Sequence, residues 1–244
     1  MISVCMTSYN GEKYIGEQID SVLLNLSKED ELVVSDDGSR DRTPEILRKY
    51  EEKDPRVKLF HGPGKGINAN FDFAIRQTKG EIIFICDQDD IWEKDKVKEV
   101  LKAFSSGNYM AVVHDCNVID DDEKEIIPSF MKYHGSAAGA IKNIIKNSYI
   151  GCCMAFRREL LDVILPIPTD IEMYDQWIGV WADLKGGSYF YEKILFHYRR
   201  HGENASSMHH YGIQKMIRNR VVFLYRLLQR KSEMRKSRPR EDKG

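Results

Sequence analysis

Short runs of consecutive apolar residues alternate with stretches in which apolar residues recur every third or fourth position, through residues 1–107. The runs at residues 2–6, 31–34, 57–60 and 82–86 predict four strands. Between the first two, Tyr14, Ile15, Ile19, Val22, Leu23 and Leu26 fall on one helical face. Thr43-Pro44-Glu45 opens a second helix, with an N-cap residue followed by proline at the first helical position. A third helix is predicted over residues 68–78. Strands alternating with helices at this spacing predict βαβ units and a parallel sheet. The run Ile82-Ile83-Phe84-Ile85-Cys86 is apolar at every position, which predicts a strand buried on both faces in mid-sheet.

Beyond Asp90 the pattern becomes mixed. A helix over residues 93–104 precedes a strand at 110–113 that ends in His114-Asp115. Residues 118–123 carry several carboxylates, but the flanking apolar residues suit a solvated hairpin turn. Residues 128–140 predict a loop or lid, 149–156 a strand returning to the sheet, and 158–165 a short helix stopped by Pro166-Ile167-Pro168. A helix over 177–184 and strands at 189–191 and 194–198 follow. Residues 213–228 set apolar positions among Lys215, Arg218, Arg220 and Arg226, predicting a basic amphipathic helix. Such a helix fits an anionic lipid surface, the body of the protein or another subunit. Residues 231–244 have almost no apolar side chains and predict disorder. The fold class expected is α/β: one domain with a mainly parallel central sheet flanked by helices, over residues 1–207. Its halves are a Rossmann-like nucleotide-binding part, 1–107, and a mixed acceptor and catalytic part, 108–207, followed by the helix and tail at 208–244.

Composition sharpens this in two ways. The 244 residues have a net charge of −1, but Lys215 onward contains eleven Lys or Arg against three Asp or Glu, about +8, which leaves the remainder near −9. An acidic body with a basic tail argues against a nucleic-acid-binding surface. The five cysteines show neither CxxC nor Cys/His zinc spacing, and several lie in apolar runs, so a reducing, cytoplasmic setting is expected. The N-terminus lacks a basic segment followed by an apolar one, and no apolar run approaches the ~20 residues that span a bilayer. A peripheral position on the inner face of the membrane stays open through the tail.

Candidate chemistry gathers where predicted strands end. Thr7-Ser8-Tyr9-Asn10-Gly11, Asp36-Asp37 and Asp87-Gln88-Asp89-Asp90 each follow a strand. Unpaired carboxylates are costly to bury, so they belong at the strands' carboxyl ends, the edge where open α/β sheets bind ligands. Three carboxylates in four positions suit a hard divalent cation shared with phosphate oxygens, or else a turn capping the next helix. The glycine turn at Gly62 to Gly66 matches no phosphate-binding fingerprint. It is a plain tight turn, or it brings Lys65 and backbone N–H groups to a nucleotide. Asp175, among Tyr174, Met173 and Trp177, is a helix-start residue or a general base. Arg199, Arg200 and His201 form a solvated loop or a diphosphate and metal contact.

Taken in order, Thr-Ser-Tyr-Asn, Asp-Asp-Gly-Ser-x-Asp-x-Thr, Gly66-x-x-x-Asn70, Asp-Gln-Asp-Asp-x-Trp, Tyr-Asp-Gln-Trp and Arg-x-His-Gly-x-Asn resemble the motifs of family 2 glycosyltransferases over residues 2–207. The likeness is greatest to bacterial members that build surface polysaccharide or lipopolysaccharide, rhamnosyltransferase-like ones among them. The resemblance implies the GT-A fold and inverting, metal-dependent hexosyl or rhamnosyl transfer from a nucleotide-diphosphate sugar to a saccharide or lipid-linked saccharide. By the same resemblance Thr7, Tyr9 and Asn10 line the donor site. Asp36 or Asp37 contacts base or ribose. Lys65, Gly66, Asn70, Gln88 and Arg199 also face the donor. Asp87 and Asp89 form the DxD motif that holds Mn²⁺ or Mg²⁺, with Asp90 open as an alternative to Asp89. His201 is a metal or phosphate contact, and Asp175 is the base. Acceptor contacts are expected within residues 128–171.

Two other readings compete. A nucleotidyltransferase would need a basic, glycine-rich loop after the first strand, where only Lys13 stands near Thr7 to Gly11. A non-catalytic nucleotide-sugar-binding protein would keep the fold, and the joint presence of Asp87, Asp89 and Asp175 argues against it.

Overall fold

The computed structural model describes residues 1–202 and 212–237. Its first half alternates as the periodicity predicts: β1 (Ile2–Ser8), α1 (Ile15–Leu23), β2 (Glu31–Asp36), α2 (Thr43–Lys53), β3 (Val57–His61), α3 (Ile67–Gln77) and β4 (Ile82–Cys86). These strands pair in parallel in the order β3-β2-β1-β4. Every residue of β1, β2 and β4 is buried, as expected for strands covered on both faces. The chain enters β4 through Gly80, where a Cβ would lie 2.4 Å from the Ser3 nitrogen, so only glycine allows this approach to β1.

The second half contains β5 (Ile91–Trp92), α4 (Lys96–Ser105), β6 (Ala111–Ile119), β7 (Glu125–Ile127), α5 (Phe130–His134), α6 (Ala140–Ile145), β8 (Met154–Arg157), α7 (Leu161–Ile164), α8 (Tyr174–Lys185), β9 (Ser188–Arg199) and α9 (Ile213–Ser237). The sheet continues as β4-β8-β6-β9-β5, with β7 on β6, giving nine strands among the described residues. Here β8 runs antiparallel to β4 and β6, while β9 runs parallel to β6. A parallel half thus continues into a mixed half.

Several expectations are corrected. Residues 149–156 are not one strand: Gly151–Cys153 form a 3₁₀ turn and only Met154–Arg157 pairs with the sheet. The turn brings Gly151 against α8, where a Cβ would meet the Tyr174 hydroxyl, so only glycine allows this approach. The expected helix at 158–165 is a 3₁₀ turn followed by the single-turn α7. The two strands predicted at 189–191 and 194–198 are one strand, β9, whose register on β6 shifts near Asp115. The stretch 128–140 contains α5, capped by Ser129, whose side chain accepts the Lys132 N–H. The helix at 177–184 begins earlier, at Tyr174, placing Asp175 in its first turn. α9 continues to Ser237, past the expected break at residue 231; residues 238–244, also expected to be disordered, lie outside the described residues.

α9 is fastened to the body. Phe223 and Leu227 are buried, and Phe223 meets Trp177 edge-on at 5.8 Å. Arg226 makes a two-pronged contact with Asp170, and Arg230 donates to the Val163, Leu165 and Pro166 carbonyls. No helix among the described residues is long and apolar enough to cross a membrane.

Candidate active site

The loops after β1 and β2 are knitted together by side chains. The Ser8 and Ser39 hydroxyls donate to Asp36 Oδ1 at 2.9 and 2.5 Å. Asp37 accepts the Gly64 and Gly66 N–H groups at 2.8 and 2.9 Å. The glycine turn therefore shapes the carboxyl edge through Asp37, while Lys65 stays exposed beside it. Asn70 is buried and engages Ser35 through both ends of its amide, so it braces β2 from below. Thr7 is buried, Tyr9 is exposed, and Asn10 takes a left-handed backbone (φ 50°) with its N–H on Ser39.

The turn after β4 meets the turn after β1. Gln88 Oε1 accepts the Tyr9 N–H at 2.9 Å and its Nε2 donates to the Tyr9 carbonyl at 3.0 Å. The two acidic residues that follow diverge. Asp89 Oδ2 lies 2.9 Å from His201 Nε2, and the His201 ring stacks on Tyr14 at 4.8 Å. Asp90 points inward: Oδ1 accepts the Arg199 N–H at 3.0 Å, and buried Oδ2 has no hydrogen-bond partner among the described residues. The Arg199 guanidinium sits 2.7 Å from Glu17 and also donates to the Asp89 carbonyl. It therefore braces the acidic turn from behind.

Behind the carboxylates lies a buried cation. Lys96 is fully buried, donates to the Cys152 carbonyl at 2.8 Å, and sits over the Trp92 and Phe196 rings at 3.8 and 4.8 Å. Burial pulls its pKa down. The Cys152 thiol donates to Asp87, and one potential ligand atom each from Asp87, Asp90 and Cys152 lies within 4.8 Å of the others.

Asp175 comes to the same place from the other half. Its Oδ1 accepts the Gln176 N–H at 2.5 Å and the Asn147 amide at 3.2 Å, and the Gly151 N–H also donates to the carboxylate. These bonds favour the anion, but burial outweighs them and pushes its pKa up to about 7. Asp87 is also pushed up to about 7, first by burial and then by the charges of Asp89 and Asp175. Burial likewise raises Asp89 and Asp90, while His201 opposes the shift at Asp89.

These shifts predict a stability effect. A carboxyl whose folded pKa is raised binds its proton more tightly when folded, so its contribution is present below the ordinary carboxylate range and is lost as pH rises toward about 7. The metal-free protein should lose thermal stability between about pH 4 and about pH 7. Asp87→Asn should lose less over that interval and melt higher than wild type at the upper end. A scanning-calorimetry profile in which both proteins change equally with pH would remove Asp87 as the source.

The structure thus brings Asp36, Asp37, Asp87, Gln88, Asp89, His201 and Asp175 to one edge, and turns Asn70 and Arg199 into the framework. Sequence reasoning missed Lys96, Asn147, Cys152 and Tyr14. Lys96 looks like any solvated helix residue, and the other three carry no local pattern that separates them from core or loop.

A family model described as Glycosyl transferase family 2 matches residues 3–165. TuaG of Bacillus subtilis strain 168, described as a candidate teichuronic acid biosynthesis glycosyltransferase, is 26% identical over 242 residues, covering 94% of this chain and 89% of TuaG. S. aureus TarS 1-349, solved in complex with UDP-GlcNAc, matches with a TM-score of 0.72 at 21% identity over 94% of this chain and 69% of that one. The mannosyltransferase PcManGT from Pyrobaculum calidifontis, solved with GDP-Man and Mn²⁺, matches with a TM-score of 0.64 at 20% identity, over 98% and 65% of the two chains. The shared architecture is the GT-A fold. Other curated relatives are longer: the chain spans 66% of a Nostoc glycosyltransferase and 61% of a second Bacillus subtilis relative.

Proposed function

The chain belongs to glycosyl transferase family 2, and from that premise we propose that it transfers a hexosyl or rhamnosyl unit from a nucleoside-diphosphate sugar to an acceptor hydroxyl, with inversion. The observation that carries this reading is the meeting of Asp175, from the first turn of α8, with Asp87, from the carboxyl end of β4: the 3₁₀ turn sets Gly151 on the Asp175 carboxylate and the next residue, Cys152, within 4.8 Å of Asp87, and the Asp175 charge helps raise the Asp87 pKa. A base with a pKa near 7 is matched to neutral pH, holding its proton loosely enough to release it again. Asp175 takes the proton of the acceptor hydroxyl as that oxygen bonds to the anomeric carbon. The bond from that carbon to the diphosphate oxygen breaks in the same displacement. Attack from the face opposite the diphosphate inverts the configuration, and no carboxylate of the enzyme becomes bonded to sugar.

Thr7, Tyr9, Asn10 and the Asp36–Asp37 turn receive base and ribose at the strand ends, with Lys65 at the rim. The acidic turn suits a divalent cation: three carboxylates crowd one turn, and buried Asp90 Oδ2 has no hydrogen-bond partner among the described residues. Asp87, Asp89 and His201 would hold Mn²⁺ or Mg²⁺, with Asp90, whose carboxylate lies within 4.8 Å of Asp87, as the alternative to Asp89. Such a cation, when bound, neutralises charge developing on the leaving diphosphate. Residues 1–107 form the donor half and 108–207 the acceptor half of one domain, with 208–244 appended. A role in surface-polysaccharide assembly is supported by the likeness to TuaG along most of both chains.

Calorimetry of the protein against UDP, GDP, dTDP and CDP, with Mn²⁺ and then with EDTA, tests the donor site. One diphosphate should bind well ahead of the rest and only with the metal. If the folded protein binds none of them, the reading fails.

A further inference from the structure

Among the described residues the body covers only one side of α9. Phe223 and Leu227 turn inward, whereas Ile213, Ile217, Val221, Leu224 and Leu228 recur at four- and three-residue spacing and are all exposed, Ile213 by 71% and Leu228 by 64%. The stripe extends sideways onto α6, which α9 touches through Arg220 donating to the Ile145 carbonyl, and where Ile141 and Ile145 are 78% and 61% exposed. An apolar band spanning two helices is large for a surface left in water. Its borders are cationic: Lys142 on α6, Lys146 just after it and Arg218 and Arg235 on α9 are exposed, and residues 213–237 hold eight Lys or Arg against one Glu.

We infer that the combined α6–α9 face docks on an anionic lipid bilayer, with the aliphatic stripe at the acyl boundary and the flanking cations among the phosphates. Charge decides against a second copy of the chain, because face-to-face pairing would bring two strongly basic helices together. The aliphatic stripe decides against a purely ionic partner such as a nucleic acid, which needs no such band. Arg220, Arg226 and Arg230 are used inward on the Ile145 carbonyl, on Asp170 and on the carbonyls before α8, whereas Arg218 and Arg235 are exposed. The face also borders the acceptor side of the proposed site. Ile145 is two residues from Asn147, whose amide touches Asp175, and Gln176 donates to the Asn143 carbonyl on α6. A hydroxyl on a lipid-linked saccharide would then approach Asp175 from the bilayer. That last step rests on the proposed role of Asp175, whereas the docking itself does not.

Flotation of the full chain with vesicles of phosphatidylcholine, alone or mixed at roughly 3:1 with phosphatidylglycerol, tests the docking. The protein should float with the anionic vesicles and not with the neutral ones, and about 0.5 M NaCl should weaken binding tenfold or more. The triple variant Ile217→Ser, Val221→Ser, Leu228→Ser changes only exposed side chains. It should keep its circular dichroism and nucleotide binding while losing about tenfold or more of vesicle binding. Arg218→Gln with Arg235→Gln should weaken binding to anionic vesicles to a similar degree. Failure to float, or equal flotation of the triple variant, overturns the inference. So does a dimer in sedimentation velocity that the triple variant abolishes, which would assign the face to a second copy.

Discussion

Asp175→Asn should lower the turnover rate by more than about 100-fold while leaving nucleotide-diphosphate affinity within about twofold, because loss of a general base removes a proton acceptor and no donor contact. The amide is nearly isosteric and still accepts the Gln176 and Asn147 N–H groups that orient the carboxylate, so the first turn of α8 should persist. The pH profile separates a chemical role from a structural one. Burial holds the Asp175 proton up to about pH 7, so wild-type turnover should fall toward tenfold for each pH unit below that value. The residual activity of the variant should lose that acidic limb. Near-normal transfer by Asp175→Asn, or a variant that keeps the limb, would remove Asp175 from the role. Asn147→Ala should shift the limb to higher pH, since it removes a bond that favours the anion.

Asp89→Asn should have the second-largest effect, and on binding before chemistry. Asp89 is the carboxylate on the His201 side of the turn, whereas Asp90 is committed inward to the Arg199 N–H. Neutralising Asp89 should weaken Mn²⁺ binding, read from the free-Mn²⁺ signal in paramagnetic resonance, by about tenfold or more. Nucleotide-diphosphate binding should drop to the level of wild type in EDTA, and EDTA should then cost the variant nothing further. That non-additivity is the diagnostic part, because two changes acting through one ion cannot both take full effect. If Asp89→Asn keeps metal-dependent binding and Asp90→Asn loses it, the two residues exchange roles.

Both expectations depend on how α/β chains divide local from distant information. Apolar runs with period two or none, helical periodicity between them and the carboxylates that end them are local features. They were enough to place β1, β2, β3 and β4, to predict their parallel pairing, and to bring Asp36, Asp37 and Asp87 to one edge. Motif order added the family and pointed to Asp175 as the candidate base. The second half was less legible because its elements are short and its pairing distant. A strand that begins only after a 3₁₀ turn at Gly151–Cys153, or one continuous β9 in place of two strands, depends on what lies alongside, and for Gly151 that is Tyr174 from α8.

What the sequence determined by itself was therefore the fold class, the carboxyl edge where polar residues gather and the chemical kinds of residue gathered there. Only the tertiary structure decided that Asp90 turns inward while Asp89 meets His201, that Lys96 is buried behind the carboxylates, that Asn147 orients Asp175, and that α9 gives one face to Trp177 and the other to solvent. The physical reason is that burial and charge partnership are properties of neighbours distant in the chain. Asp89 and Asp90 are adjacent carboxylates with the same propensities, and only β9, folded back beside them, makes one a partner for His201 and the other for the Arg199 backbone.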